Sequence, residues 1–388
     1  METLELFTML AQGEDSQHQF KKNINNAESL SAEMVAFSNG KGGQIFIGVE
    51  DNGNILGLTT EDVARLNQLI SNAASQNVRP AINPTTQNIM TEQGLVLIID
   101  VPSGINKPYQ DNSGVFWVKS GADKRRATSR EEIQRLFQAS GMIHGDEAPA
   151  NGLTIADIDM DYFRTFFQQR YGSSLENEQI PLEQIIQNMN LGNKGILNLS
   201  CALLFAKAPS IRLPTFIIKA CCFPGNSIAV DVYKDNRNIT GKIADIFQQT
   251  ISFIQTNIHH IQGDQTVNSL GTPEIPRIAL EEIIANALVH RDYFISAPIR
   301  VFVLDDRVEV ISPGHLPNNL TIENIKAGNS NTRNPILASF ANQILPYRGY
   351  GSGVMRAIAA YPSIELIDDK EGNLFKAIFW RKVALLHS

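Results

Sequence analysis

Hydrophobic and polar positions in the first 141 residues alternate with the periods of both helices and strands. AESLSAEMVAFSNG (27–40) places apolar residues at helical spacing and ends at a glycine, a normal helix stop. GGQIFIGVE (42–50) has the pattern of a strand, and DNG (51–53) has the composition of a tight turn. The same patterns predict two more helices and two more strands, over 61–76, 129–137, 95–102 and 114–120. The alternation predicts a mixed α/β domain over residues 1–141.

Two further blocks follow a polar stretch, HGDEAPANG (144–152), whose proline and glycine are typical of a linker. The block 153–265 has helical patterns first, then an apolar strand and a long helix, and is predicted to be a middle connecting domain. The block 270–388 begins with a helix over 278–290 and ends with two strands, and a glycine-rich turn precedes its last helix. We therefore expect an α+β multidomain protein with three domains.

Composition places the chain among globular proteins that do not enter membranes. Of its 388 residues, 43% are hydrophobic and 19% are charged, and no run approaches the roughly 18 consecutive apolar residues of a transmembrane helix. The N-terminus lacks the basic start and apolar core of a signal peptide, and the three cysteines have no spacing that suits disulfides or zinc. We expect a cytoplasmic protein. Its net charge of −7 argues against non-specific coating of nucleic acid but allows a local basic patch.

The helix predicted over 278–290 carries two polar side chains that an apolar helix does not explain. Glu282 and Asn286 are four residues apart, so they project from the same side, whereas Glu281 is rotated by about 100°. A glycine-rich turn, GYGSG (349–353), opens a later helix, and glycine lets backbone N–H groups approach phosphate closely. The Asn286 oxygen could complete the shell of a Mg²⁺ ion, and the Glu282 carboxylate could deprotonate an attacking water. A wet helix face and an ordinary turn are the alternatives, but the order of the parts favours a nucleotide site.

Residues 270–388 resemble the divergent GHKL-type (Bergerat-fold) ATP-binding domain, the fold of gyrase and histidine kinases, as found in RecG-like proteins and transcriptional regulators. Four motifs carry the resemblance in order: EEIIANALVHRDY (281–293), DDRVEVISPGHLP (305–317), TRNP (332–335) and GYGSGVMRA (349–357). The resemblance implies an α/β sandwich that binds ATP and Mg²⁺, with 315–348 as the ATP lid. It also implies roles for single residues: Glu282 as the water-activating base, Asn286 as the Mg²⁺ ligand, Gly314 in the adenine pocket, and Gly349, Gly351 and Gly353 at the phosphates.

Two positions depart from the pattern of this family. Ser312 stands where an aspartate normally accepts the amino group of adenine, and a hydroxyl accepts a hydrogen bond more weakly than a carboxylate. Val289 stands where an acidic residue usually follows the asparagine. These departures weaken the case for hydrolysis more than the case for binding, and a scaffold with a degenerate nucleotide site is one alternative.

The first block resembles the Schlafen AlbA-like domain that commonly precedes this ATPase module. The resemblance rests on GEDSQHQFKK (13–22), AEMVAFSNGKGGQIFIGVEDNGNILGL (32–58) and the segment 107–136. It implies nucleic-acid binding and, in Schlafen proteins, nuclease activity from clustered carboxylates. Here Glu14 is followed five residues later by Gln19, and an amide does not replace a carboxylate that binds metal or acts as a base. A metal-dependent nuclease, which would need Glu14 and Asp51, is therefore the less favoured alternative.

A basic cluster in the first block is the candidate nucleic-acid contact, because clustered positive side chains bind phosphates. Its members are Lys119, Lys124, Arg125, Arg126 and Arg130. A solvated turn explains the same charges about equally well. The sequence thus predicts an ATP- and Mg²⁺-dependent nucleic-acid-binding protein, a transcriptional regulator, whose partner is DNA or RNA. A homodimer is a candidate assembly, because GHKL proteins often dimerise.

Overall fold

The computed structural model describes residues 2–261, 271–317 and 320–381. Residues 262–270, where the middle domain is predicted to end and the C-terminal domain to begin, lie outside the described residues. So do Asn318 and Asn319 of the predicted lid, and residues 382–388. The chain divides into two compact units, Met1–Ile143 and His144–Ser388. The predicted middle and C-terminal domains fall within the second unit, and their division into separate domains stays a prediction.

The first unit is built on a four-stranded sheet. Its elements are α1 (Thr3–Gln12), β1 (His18–Lys21), α2 (Ala27–Asn39), β2 (Gly42–Ile47), α3 (Thr60–Asn72), β3 (Val78–Arg79), β4 (Thr85–Thr91), β5 (Gly94–Pro102), β6 (Gln110–Asp111), β7 (Trp117–Ser120), β8 (Asp123–Arg126) and α4 (Arg130–Ala139). The sheet order is β1-β2-β5-β4, with β1 and β2 parallel and the other neighbours antiparallel. Two short ribbons, β3-β6 and β7-β8, accompany it.

Side chains on the two faces of this sheet enter different hydrophobic clusters. Ile45 and Ile47 of β2 pack with Phe37 of α2, while Phe46, between them, packs with Leu6 of α1. Successive strand residues point to opposite faces, so a continuous apolar run in β2 indicates a sheet that is covered on both sides. The mixed α/β character predicted for this block is confirmed.

Helices α2, α3 and α4 begin close to where the patterns place them, whereas α1 was not predicted and some strands differ. Ser129 caps α4 as expected, its hydroxyl accepting from the Glu132 N–H. The strand predicted over 114–120 begins only at Trp117. The pattern does not predict β4, because most of its side chains are exposed and polar and show no apolar alternation.

The second unit combines a six-stranded sheet with helices and a small three-stranded sheet. The elements of the second unit, in chain order, are β9 (Pro149–Thr154), α5 (Met160–Tyr171), α6 (Leu182–Asn188), β10 (Gly192–Asn193), β11 (Ile196–Asn198), α7 (Leu199–Phe205), β12 (Ile218–Cys222), β13 (Asp235–Ile239), α8 (Ile243–Asn257), β14 (His260–Ile261), β15 (Thr272–Pro273), α9 (Arg277–His290), β16 (Ile299–Val303), β17 (Arg307–Pro313), α10 (Ile322–Lys326), α11 (Pro335–Ile344), α12 (Gly353–Ala360), β18 (Ile364–Asp369) and β19 (Leu374–Trp380). The strand order of the six-stranded sheet is β13-β12-β16-β17-β19-β18, and only β12 and β16 run parallel among these neighbours. Within the described ranges, no helix is long and apolar enough to cross a bilayer.

Helix α9 lies in the centre of the second unit. It packs against α8, α12 and β17, and its buried side chains join one hydrophobic cluster that also includes residues of α7, α8 and β17. Because α9 has neighbours on several sides, it is apolar over most of its circumference. Glu282 is therefore a polar exception within a buried helix, as the sequence pattern suggested.

The C-terminal end of α9 is fixed by a buried side chain from the start of α11. The Asn334 Nδ2 donates to the carbonyls of Val289 and Arg291 at 2.8 Å each. The last carbonyls of a helix lack partners within the helix, and Asn334 supplies a donor for two of them at a fully buried position. The TRNP motif thus has a structural role in addition to any contact with a ligand.

We expect Asn334→Ala to destabilise the second unit by about 2 kcal/mol, because it leaves two buried carbonyls without their donor. The measurement is the free energy of unfolding in urea. Asn188→Ala, on the exposed surface of α6, is the matched control and should change it by less than about 0.5 kcal/mol. Equal effects of the two substitutions would refute the capping role.

Candidate functional site: a polar cleft in the second unit

A cleft of about 1030 Å³, part of it open to solvent, lies beside α9 and the start of α12. Its walls come from α9, β17, β19, the segment 314–333 and the turn 347–353. Every site residue predicted in this unit lines it: Glu282, Asn286, Ser312, Gly314, Gly349, Gly351 and Gly353. The fold therefore brings together residues that are as many as 71 positions apart in the chain, from 282 to 353.

Glu282 lies deep in this cleft and is paired with a cation. Its Oε1 is 2.7 Å from the Arg356 Nη2, and its side chain is only 4% exposed. Burial raises the pKa of the Glu282 carboxyl, while the charges of Arg356 and Arg348 oppose the rise and Glu281 adds to it. Glu281 itself pairs with Arg277 at 2.6 Å, so the sequence was right to separate the two glutamates.

Asn286 lies one helical turn beyond Glu282 on the same side of α9. Its Nδ2 donates to the Glu282 carbonyl at 2.7 Å. Since a carbonyl oxygen only accepts, this contact identifies the nitrogen end of the amide and leaves the oxygen as the end that could bind a cation. Helix geometry thus orients the side chain that the sequence predicted as a metal ligand.

The three glycines of the 349–353 turn are required for different reasons. Gly349 and Gly351 have φ of 73° and 72°, a conformation that other residues rarely adopt. A Cβ at Gly351 would also collide with the Gly328 carbonyl. A Cβ at Gly353 would lie 2.7 Å from the Glu282 Oε2 and 3.0 Å from the Asn286 Nδ2. The first two glycines shape the turn, and the third lets α12 begin against the polar pair of α9.

The wall formed by β17 and β19 is more apolar. Val310, Phe375 and Ala377 line the cleft there, and Ser312 is buried on the same strand pair with its hydroxyl donating to the Ala287 carbonyl over a long 3.4 Å. A flat heterocycle would be covered by such side chains, and one hydroxyl would be available to it. Ser312 thus lines the cleft, and its role at the adenine end stays a prediction.

Gly314 is constrained by its neighbours. Its φ is 97°, and an added Cβ would lie 2.5 Å from the Arg333 Nη1 and 2.6 Å from the Asp292 Cβ. Gly314 therefore permits a close approach between the end of β17 and these two side chains, as well as lining the cleft.

The sequence did not predict several cleft residues. Arg356 follows Gly353 by three positions, a spacing that puts both on one face of α12, so the helical period is a signal that could have found it. His290 lies at the end of α9, where its Nε2 is 2.9 Å from the Tyr347 hydroxyl. Arg333 donates to the carbonyls of His290 and His315. The contacts of His290 and Arg333 depend on distant segments, and no local pattern indicates them.

The polar groups of the cleft fit a magnesium–phosphate ligand better than a protein-only metal site. Among the residues that the structure describes, no group of three or more His, Cys, Asp or Glu side chains could hold a metal. Mg²⁺ usually keeps several waters and takes one or two protein ligands together with phosphate oxygens. The Asn286 amide oxygen is a donor of the required kind.

In the first unit, two members of the basic cluster are engaged in a buried polar network. Lys119 Nζ donates to Gln19 Oε1 at 2.9 Å and to the Ala122 carbonyl, and its side chain is 7% exposed. Lys124 Nζ lies 2.6 Å from Glu33 Oε1. Burial lowers the pKa of Lys119, which nearby Glu33 and Glu14 partly offset. The contacts of these two lysines lie within the unit.

The other three members are exposed. Arg125 makes a bidentate pair with Glu132, at 2.9 and 2.5 Å. The Arg126 guanidinium lies 5.3 Å from the centre of the Trp117 ring, and Arg130 starts α4 at the surface. Arg126 and Arg130 are therefore the cluster members whose charges are best placed to meet a phosphate backbone.

Gln19 stands where the Schlafen motif has a second glutamate, and its side chain makes contacts inside the first unit. Gln19 Nε2 donates to Glu14 Oε1 at 2.5 Å, and the Phe20 N–H donates to the same oxygen at 2.7 Å. The Lys119 Nζ donates to the oxygen of the Gln19 amide. The Gln19 amide turns its N–H group towards Glu14 while its oxygen accepts from Lys119, and the positive charge of Lys119 is an unfavourable neighbour for a divalent cation.

The fold and cleft define the second unit as an α/β domain that presents a carboxylate, an amide and a glycine-rich helix start to one ligand. Residues 296–370 match the family described as "Putative ATP-dependent DNA helicase recG C-terminal", an ATPase-like domain. Residues 14–128 match the family described as "Schlafen, AlbA_2". The resemblance to a Schlafen AlbA-like domain in the first unit and to a RecG-like ATPase module in the second is confirmed. The chain thus carries a Schlafen AlbA-like segment and an ATPase-like segment.

Solved structures include two similar chains. The DIP2311 protein of Corynebacterium diphtheriae is 20% identical, with 98% of this chain and 68% of that chain covered and a TM-score of 0.45. The N-terminal domain of a RecG-related protein of Nitrosomonas europaea is 21% identical, with 34% of this chain and 96% of that chain covered and a TM-score of 0.25. Neither TM-score is high enough to support an argument about function. No curated protein matches the chain significantly.

The environment of His290 predicts a pH-dependent stability. Burial and the charge of Arg333 lower its pKa from 6.5 to about 4. The unfolded chain takes up this proton near pH 6.5 and the folded chain only near pH 4. The contribution of neutral His290 to the free energy of unfolding is therefore fully present above pH 6.5. It is lost as the pH falls through this window, by up to about 3 kcal/mol. His290→Gln should flatten the pH dependence of the unfolding free energy between pH 4 and 6.5. Parallel profiles for the two proteins would show that His290 titrates normally.

Proposed function

We propose that the cleft of the second unit binds Mg·ATP. The observation that carries this proposal is the convergence of Glu282 and Asn286 with the glycine turn 349–353 in one cleft that apolar side chains of β17 and β19 also line. Phosphates would lie against the turn and the start of α12, where N–H groups and the helix dipole favour anions. The base would lie near Ser312, and Asn286 would supply one ligand to Mg²⁺.

Glu282 is the candidate general base for hydrolysis. It is the carboxylate of the cleft closest to the start of α12, and burial raises its pKa, which favours proton uptake from a water. Its ion pair with Arg356 works against this role, because a paired carboxylate is a weaker base. We therefore propose ATP binding as the principal activity, with slow hydrolysis of ATP to ADP.

We further propose that the first unit binds DNA or RNA through the exposed arginines of the basic cluster. The match to the Schlafen AlbA-like family and the solvent position of Arg126 and Arg130 support this proposal. Lys119 and Lys124 would contribute by holding the β7-β8 ribbon in place rather than by touching phosphate. A nucleic-acid-binding unit and an ATP-binding unit in one chain suit a nucleotide-controlled transcriptional regulator, with a homodimer as its proposed assembly.

Isothermal titration calorimetry with Mg·ATP tests the cleft. We expect binding that depends on Mg²⁺, and Asn286→Ala should weaken it roughly tenfold, equivalent to about 1.4 kcal/mol, because one metal ligand is lost. Asn188→Ala should bind as the wild type does. Wild-type protein that binds no ATP, or binds it equally well with and without Mg²⁺, would refute the proposed role of the cleft.

Salt-dependent binding to a DNA or RNA duplex tests the first unit. Removing two phosphate contacts with Arg126→Ala and Arg130→Ala together should reduce the slope of log K against log salt by about 2 for DNA. The control combines Arg164→Ala and Arg237→Ala, which removes the same charge from exposed ion pairs of the second unit. An equal loss in both double variants would indicate a general charge effect rather than a site.

A further inference from the structure

The ion pair between Arg356 and Glu282 joins a buried acid to a cation that reaches the cleft. Arg356 Nη2 and Glu282 Oε1 are 2.7 Å apart, and the Arg356 side chain is 24% exposed against 4% for Glu282. Both residues line the cleft. The carboxylate is therefore enclosed, and its paired guanidinium is the more accessible of the two groups.

The guanidinium of Arg356 has unused hydrogen-bonding capacity. A guanidinium carries five N–H donors, and Arg356 Nε is buried without a hydrogen-bond partner among the described residues. Its one close ion pair in the described structure is with Glu282. A phosphate group, which accepts from Arg in a two-pronged fashion and carries more negative charge than a carboxylate, would satisfy more of these donors.

The start of α12 fixes where such an exchange would happen. Gly353 lies against Glu282 Oε2 and Asn286 Nδ2, and Arg356 follows on the same face of the helix. A ligand at the 349–353 turn therefore meets Arg356 at its phosphate end. Arg348 immediately precedes this turn, and its charge also acts on Glu282. Two cations therefore act on the carboxylate, and a phosphate would attract both.

We propose that Arg356 is a positioning residue that holds Glu282 in the nucleotide-free protein and transfers to the terminal phosphate of a bound nucleoside triphosphate. This inference rests on the proposed function and deepens it, because it assigns the cleft a preference for triphosphate over diphosphate. Transfer releases Glu282, which then has an oxygen free to accept a proton from water. Without a third phosphate, Arg356 stays on Glu282 and the acid is kept from that task.

A double-mutant cycle on nucleotide affinity tests the exchange without relying on turnover. The four proteins are wild type, Glu282→Gln, Arg356→Gln and the double variant, each titrated with Mg²⁺ and either ADP or the non-hydrolysable β,γ-imido analogue of ATP. Glu282→Gln should increase the affinity for the triphosphate analogue by on the order of fivefold or more, because Arg356 no longer has to break an ion pair with a carboxylate. Arg356→Gln should weaken it roughly tenfold and leave ADP within about twofold. In the double variant, the gain from Glu282→Gln should disappear.

The neighbouring pair on α9 provides the control. Arg277 and Glu281 are also joined at 2.6 Å, and Arg277→Gln and Glu281→Gln should leave both affinities unchanged. Arg356→Lys keeps the charge but not the planar fork, so it should restore part of the triphosphate preference. Circular dichroism and thermal melting of each variant confirm that it is folded.

Three outcomes distinguish a failure of the proposed function from a failure of the inference about Arg356. If wild type binds neither nucleotide, the proposed function fails and the inference with it. If wild type binds both but Arg356→Gln weakens ADP and the triphosphate analogue equally, Arg356 is a general structural or electrostatic support and the inference alone fails. If Glu282→Gln tightens the analogue equally with and without Arg356, the gain does not come from exchange, and the inference is again overturned.

Discussion

The approach of the first turn of α12 to the Glu282 carboxylate is the contact on which the cleft depends. It requires a residue without a side chain at position 353, because a Cβ there would lie 2.7 Å from Glu282 Oε2. Once that approach is made, Arg356 reaches the same carboxylate one helical turn later. The turn 349–353 then forms the rim of the cleft. The absence of a side chain at Gly353 therefore allows Glu282, Arg356 and the turn 349–353 to lie together.

A buried carboxylate beside a single arginine is an energetically costly arrangement, and it favours a functional explanation. Desolvation of two charges offsets much of their attraction, so buried ion pairs often contribute little net stability compared with apolar packing. The other buried side chains packed around α9 are mostly apolar, so packing alone does not call for a carboxylate at position 282. The pair is easier to understand if the acid, the arginine or both are needed by a ligand.

The sequence predicted most of the local structure and few of the contacts between segments that are distant in the chain. The helical period placed Glu282 and Asn286 on one side of α9, and the apolar patterns placed the closing strands β18 and β19 within one or two residues of their observed ends. The need for glycine at 351 depends on Gly328, and the pairing of Glu282 depends on Arg356. Such contacts join segments whose distance in the chain carries no periodic signal. Charge runs are equally ambiguous, because the residue types around Lys119 and Lys124 do not tell which side chains turn inward.

Each unit contains a buried carboxylate that pairs with a cation, but the consequences differ. In the first unit, Glu33 receives Lys124 at 2.6 Å and Lys119 at 4.0 Å, and Lys119 is further bound by Gln19 and a carbonyl. Lys119 has several internal partners, so a phosphate would gain little by displacing it. In the second unit, Arg356 has one such partner and lies on the wall of a cleft. Exchange of partners is therefore physically reasonable for Arg356, whereas Lys119 is held inside the first unit.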